Sequence, residues 1–139
     1  MADMEQTLEM YQAGFNCGQV VATLCSEHCG YDEKLARAAM GGFGGGLRCG
    51  ETCGAVSGGV YALGMYCNHC EYDDKLTRRK IIEMTKKYTD EFKEKYGALC
   101  CRELSPKKDL ERCAQYISSS VEIVEKLVDE DRAKAASAE

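Results

Sequence analysis

Cys17 and Cys53 each stand at the predicted start of a helix, where unpaired backbone N–H groups and the helix macrodipole favour a thiolate. A free thiol titrates near about 8.5 and a helix N-terminus brings it to roughly 3.5 to 7.5, so both are candidate nucleophiles or ligands. Cys101 and Cys113 lie near the interruption before a later helix or in its early turns. A buried cysteine is often only a small apolar residue. Four thiols in equivalent positions nevertheless point to one shared site, and ten cysteines in 139 residues exceed what packing alone requires.

The remaining cysteines offer a second chemistry. Cys25-Ser26-Glu27-His28-Cys29 and Cys67-Asn68-His69-Cys70 each combine two thiols with a histidine near a helix end. Cys25, Cys29, Cys67 and Cys70 are therefore a candidate metal set for zinc or an iron-sulfur cluster, with the four helix-start cysteines as the alternative ligands. Cys67 and Cys70 can also form a short redox disulfide, but a single Cys-x-x-Cys lacks the second half of a zinc ribbon. Cys100 is either an exchange partner for Cys101 or a surface thiol. His28 and His69 have no acid-base partner recognisable in the sequence, so a Cys-His hydrolase is not expected. The eight tyrosines fit helix faces, as core or rim.

Composition narrows the function classes. A net charge of −5 opposes a general phosphate-backbone binder, and Arg78-Arg79-Lys80 reads as a solvated helix face rather than a nucleic-acid contact. No apolar run approaches the roughly 18 to 20 residues that membrane insertion needs. The opening residues Met1 to Gln6 have neither the basic nor the apolar segment of a secretory leader, which leads to the expectation of a cytoplasmic protein. In that compartment thiols serve catalysis, redox sensing or metal binding rather than permanent crosslinks. The glycines from Gly41 to Gly46 do not meet G-x-G-x-x-G, because Leu47 takes the last position and no strand precedes them.

The elements that must carry these thiols are helical. One proline, no strand-like alternation and abundant Ala, Leu, Glu, Lys and Met predict an all-α single domain over 1–139, a compact bundle of five to six helices. The first helix covers Met4 to Ala13. Asn16, with Gln19, caps a second that runs to Cys29 and stops at Gly30. Asp32 opens a third that the glycine run ends, and a fourth spans Glu51 to Tyr66. Apolar residues including Leu76, Ile81, Met84, Tyr88 and Phe92 mark a core-facing helix within Asp73 to Leu99. Ser105 and Pro106 open the last, with a stripe from Leu110 to Val128 and a tail expected to fray after Asp129. Gly46, Gly50, Gly54, Gly58 and Ala62 recur every four residues. Where helical, they form a strip on which another helix, or a second copy of the chain, can pack closely.

Gly14-Phe15-Asn16-Cys17, Gly42 to Gly46, Cys53-Gly54-Ala55-Val56-Ser57-Gly58, Cys101-Arg102-Glu103-Leu104 and Cys113 occur in this order. In that combination the chain, from about Met4 to Leu127, resembles the C_GCAxxG_C_C family of redox-active proteins. The resemblance implies that Cys17, Cys53, Cys101 and Cys113 are the signature cysteines of a small helical protein with thiol-based or metal-based redox chemistry. Related domains occur in split-Soret cytochromes, which bind haem and an iron-sulfur centre. Here Cys67-Asn68-His69-Cys70 is followed by Glu71, so the Cys-x-x-Cys-His of covalent haem is missing. The leading expectation is a thiol-disulfide oxidoreductase or electron-transfer protein with a thiol, disulfide or redox partner. Its alternatives are a zinc or iron-sulfur protein and a non-catalytic helical module that forms a homodimer.

Overall fold

Side-chain caps and left-handed glycines set the boundaries of most elements. The computed structural model describes residues 4–106 and 109–137. They form α1 (Met4–Gln12), α2 (Cys17–Leu24), α3 (Ser26–Cys29), α4 (Glu33–Ala39), α5 (Gly54–Cys67), α6 (Lys75–Tyr96), α7 (Cys101–Leu104) and α8 (Leu110–Ser137). A wide turn, Gly46–Gly50, makes a ninth helical segment among the described residues. The all-α class holds and the count of five to six is corrected. The additions are α3, split from α2 at Cys25, the wide turn, and the short α7.

The capping box forms as expected: the Gln19 N–H donates to Asn16 Oδ1 at 2.9 Å and the Asn16 N–H to Gln19 Oε1 at 3.0 Å. Asp32 and Asp74 accept from the Leu35 and Thr77 N–H groups at the starts of α4 and α6. Gly30 and Gly97 adopt positive φ where α3 and α6 end. Pro106 does not open the last helix. The Asp109 carboxylate accepts from the N–H groups of Glu111 and Arg112, and α8 begins at Leu110. Its helical backbone continues past Asp129 to Ser137. There the Tyr66 hydroxyl and Lys80 bind Asp131 at 2.6 Å each, and Arg132 donates to the His28 carbonyl at 2.7 Å.

α5 is apolar on most of its circumference, so its neighbours enclose it. α2 crosses one side through glycines: a Cβ on Gly58 would lie 2.8 Å from the Gly18 carbonyl oxygen, and one on Gly18 would lie 3.2 Å from that of Gly54. At Gly54 and Gly58 the small-residue strip is thus covered by α2 of the same chain. Tyr88 and Phe92 of α6, with Ile117, Val121, Val124 and Val128 of α8, complete the core. Leu76 was expected in the α6 stripe but is 78% exposed, because the buried stripe begins only at Met84. No helix among the described residues is long and apolar enough to cross a membrane.

Candidate thiol site

Cys17 is the first residue of α2, and Cys53 is the residue from which α5 departs. The glycine crossing brings these two helix starts together. A Cβ on Gly54 would collide with the Cys17 sulfur and would lie 2.9 Å from the Phe43 carbonyl oxygen, so only glycine admits the sulfur there. α5 starts at Gly54 rather than at Glu51 because Glu51, Thr52 and Cys53 pair through their backbone with the Leu99–Cys101 segment, while Gly46 and Gly50 belong to the wide turn. Gly45, Gly46, Leu47 and Arg48 have φ of 59°, 62°, 60° and 62°. The two non-glycine residues in this left-handed run each cost roughly 1–2 kcal/mol. Gly46 tolerates no side chain, since a Cβ would lie 2.6 Å from the Glu51 nitrogen and 2.7 Å from the Cys101 Cβ.

Backbone pairing carries the third thiol to the first two. Cys53 N–H donates to the Leu99 carbonyl at 2.7 Å, Cys101 N–H donates to that of Glu51 at 2.6 Å, and Thr52 and Cys100 form an isolated antiparallel bridge. The Tyr116 hydroxyl donates to the Leu104 carbonyl at 2.6 Å, seating α7 on α8 and bringing Cys113 to the same space. Cys17, Cys53, Cys101 and Cys113 all line one cavity of about 440 Å³. Tyr11, Phe15, Leu104 and Tyr116 supply much of its apolar wall, and among the described residues that line it Arg48 alone is charged.

The two helix-start thiols do not titrate alike. Cys17 is pulled down to about 6, first by the hydrogen bond from the Cys53 thiol, against the cost of burial, and then by backbone N–H groups of Gly45, Gly18 and Ala55. Cys53 is held far above the ordinary thiol range because it donates to Cys17, because it is buried, and because the Cys17 charge is adjacent. Within the pair, Cys17 is the acceptor and Cys53 the proton donor. Burial and the nearby Cys17 and Cys113 sulfurs push Cys101 up. The Tyr11 hydroxyl shares a hydrogen bond with the Cys113 side chain, and burial pushes its ionisation up.

The remaining thiols lie elsewhere. Cys25 and Cys29 are buried, Cys67 is half-buried beside Met84 with 3.6 Å between the sulfurs, and Cys70 is exposed. Burial pushes Cys25, Cys29 and Cys67 up, Cys29 to about 12. Among the described residues no three His, Cys, Asp or Glu side chains are gathered to hold a metal ion. Cys100 donates its thiol to the Gly50 carbonyl at 3.0 Å. Cys49 is exposed, and its thiol lies 3.6 Å from the Gly46 carbonyl oxygen. All ten cysteines are free thiols. His28 gains a partner that sequence could not reveal: Asp129, at 2.8 Å. His69 Nε2 is buried without a hydrogen bond.

Tyr11, Arg48 and Tyr116 were not singled out from the sequence. Tyr11 sits one turn before the Gly14 bend on an ordinary amphipathic helix, and nothing local marks it. Arg48 follows a glycine run, which signals an irregular backbone but not where it points a side chain. The family model described as "Putative redox-active protein (C_GCAxxG_C_C)" matches residues 15–127. No curated protein and no solved structure matches the chain.

Proposed function

The chain belongs to the C_GCAxxG_C_C family, whose description is of redox activity, and from that premise we propose that it carries out thiol-disulfide chemistry in the cavity, with Cys17 as nucleophile. The observation that supports this best is the Cys17–Cys53 pair. One sulfur is held as thiolate by a neighbouring thiol and three backbone N–H groups, and its partner retains a proton. The Cys17 thiolate attacks one sulfur of a bound disulfide, forming a mixed disulfide and releasing the other half as a thiolate. Cys53 gives up its proton, to that thiolate or to solvent, and attacks Cys17. The Cys17–Cys53 disulfide forms and the second half of the substrate leaves as a thiolate. The substrate disulfide is reduced by two electrons and the protein dithiol is oxidised by two.

Cys101 and Cys113 border the same cavity and act as a second dithiol. Exchange with the Cys17–Cys53 disulfide passes the oxidation to them and regenerates the nucleophile. Such an arrangement would serve an oxidoreductase or electron carrier that accepts from one partner and discharges to another.

Reduced protein is treated with a small disulfide, quenched by alkylation and mapped by mass spectrometry. A Cys17–Cys53 disulfide is expected in the native chain. Cys53→Ser retains helicity, loses the intramolecular couple and accumulates a mixed disulfide on Cys17. Full reactivity in Cys17→Ser, or stoichiometric iron with visible absorption in protein purified without oxygen, would overturn the proposal.

A further inference from the structure

We propose that the cavity selects low-molecular-weight disulfides bearing a negative charge, and that Arg48 is the residue that determines this specificity. The inference rests on the thiol-exchange function proposed above. Size comes first. Cys17 and Cys53 are only 8% and 5% exposed, at the wall of a cavity of about 440 Å³, within the range of small-molecule sites. A disulfide fixed on a folded protein surface cannot bring its sulfur to Cys17 there. A small flexible disulfide can.

Charge comes second. Among the described residues lining the cavity, Arg48 alone carries a formal side-chain charge, in a chain whose net charge is −5. Its placement is not incidental. It is the last residue of the left-handed run from Gly45, at a φ of 62° that side chains rarely adopt. Its Nη2 donates to the Gly41 carbonyl at 2.9 Å, which pins the guanidinium while leaving other N–H donors for a ligand. The same run contributes the Gly45 N–H to the Cys17 sulfur. One strained turn therefore serves both the nucleophile and a cation at the cavity wall. An anionic group anchored on Arg48 offsets the repulsion between a negative substrate and the Cys17 thiolate and fixes which end of the disulfide faces the sulfur.

Three disulfides of similar length separate charge from size: dithiodipropionate (anionic), hydroxyethyl disulfide (neutral) and cystamine (cationic). The rate of Cys17–Cys53 disulfide formation is followed for the native chain, Arg48→Gln and Arg48→Lys. The native chain should prefer dithiodipropionate. Arg48→Gln should slow that substrate by about threefold to tenfold, through KM more than kcat, while changing hydroxyethyl disulfide by less than about twofold, as expected for an ion pair near the surface. Arg48→Lys should recover part of the loss. Equal slowing of all three disulfides, or a native preference for cystamine, would overturn the role of Arg48 and leave the exchange chemistry standing. Failure of the native chain to form the disulfide with any of them would remove the exchange function itself.

Discussion

The Cys53 thiol donates a hydrogen bond to the Cys17 sulfur across the start of two helices, and Gly54 leaves the space in which that sulfur sits. The pair holds one proton between two buried sulfurs. Because the Cys53 bond is the largest influence on Cys17, the rate of Cys17 alkylation should rise with pH through a midpoint at about 6. Cys53→Ala removes the donor and should move the midpoint towards the ordinary thiol value of about 8.5. An unchanged midpoint in that variant would mean that the backbone N–H groups alone lower Cys17.

Gly54→Ala places a methyl group against the Cys17 sulfur and within 2.9 Å of the Phe43 carbonyl oxygen. Overpacking at a close helix crossing costs about 1–3 kcal/mol. Gly64, in the same helix, has nothing within 4 Å of the equivalent position. Gly64→Ala should therefore stabilise by about 0.4–1 kcal/mol, as relief of backbone entropy allows. Urea midpoints of the two variants should move in opposite directions. Equal shifts would mean that the crossing has room to relax.

Local signals specified several helix starts and stops, since Asn16 and Asp32 cap through their own side chains and Gly30 terminates by its own conformation; Asp74 and Gly97, which bound α6 in the same ways, were not singled out. The convergence of four thiols was legible in outline, because each stood near a helix start. The start of α5 was not. The four-residue spacing of glycines continues through Gly46 and Gly50, but there it serves a left-handed turn whose glycines are required by Cys101 and Arg102 packed against them. Nor could periodicity separate the roles of Cys17 and Cys53, which depend on hydrogen bonds between segments far apart in sequence. The Asp129 partner of His28 and the Tyr11 partner of Cys113 were hidden for the same reason.

Stability should depend on pH in two opposing limbs. Cys17 falls from the ordinary thiol value of about 8.5 to about 6 on folding, so between those values the unfolded chain binds a proton that the folded chain does not. Its contribution is therefore complete above the ordinary thiol value and is lost as pH falls through about 6. Cys53, Cys25 and Cys29 are raised, so above the ordinary thiol value the unfolded chain releases protons that the folded chain keeps, and stability declines. Denaturant titrations of reduced protein should show the rise and the later fall. Cys17→Ser should abolish the rising limb and retain the falling one, which Cys25 and Cys29 sustain. A rising limb that survives in Cys17→Ser would assign it to another group.

Asn16 ties the helix that starts at Cys17 to the rest of the site. Its Oδ1 caps α2, while its Nδ2 donates to the carbonyls of Met40 and Gly41 at 3.2 and 3.1 Å, anchoring the end of α4 and the start of the glycine run. Asp is as good a helix N-cap as Asn, so Asn16→Asp should be neutral if capping were the whole role. It instead turns a donor into an acceptor facing two carbonyl oxygens, which costs about 1–3 kcal/mol for the groups left unpaired. It also places a negative charge beside the Cys17 thiolate. The variant should unfold at lower urea concentration, and its Cys17 alkylation midpoint should rise above that of the native chain. Asn16→Ala loses the cap as well, but it adds no charge, so its midpoint should rise less. A stable Asn16→Asp with an unshifted midpoint would show that the α4 contact is dispensable and that Asn16 acts on α2 alone.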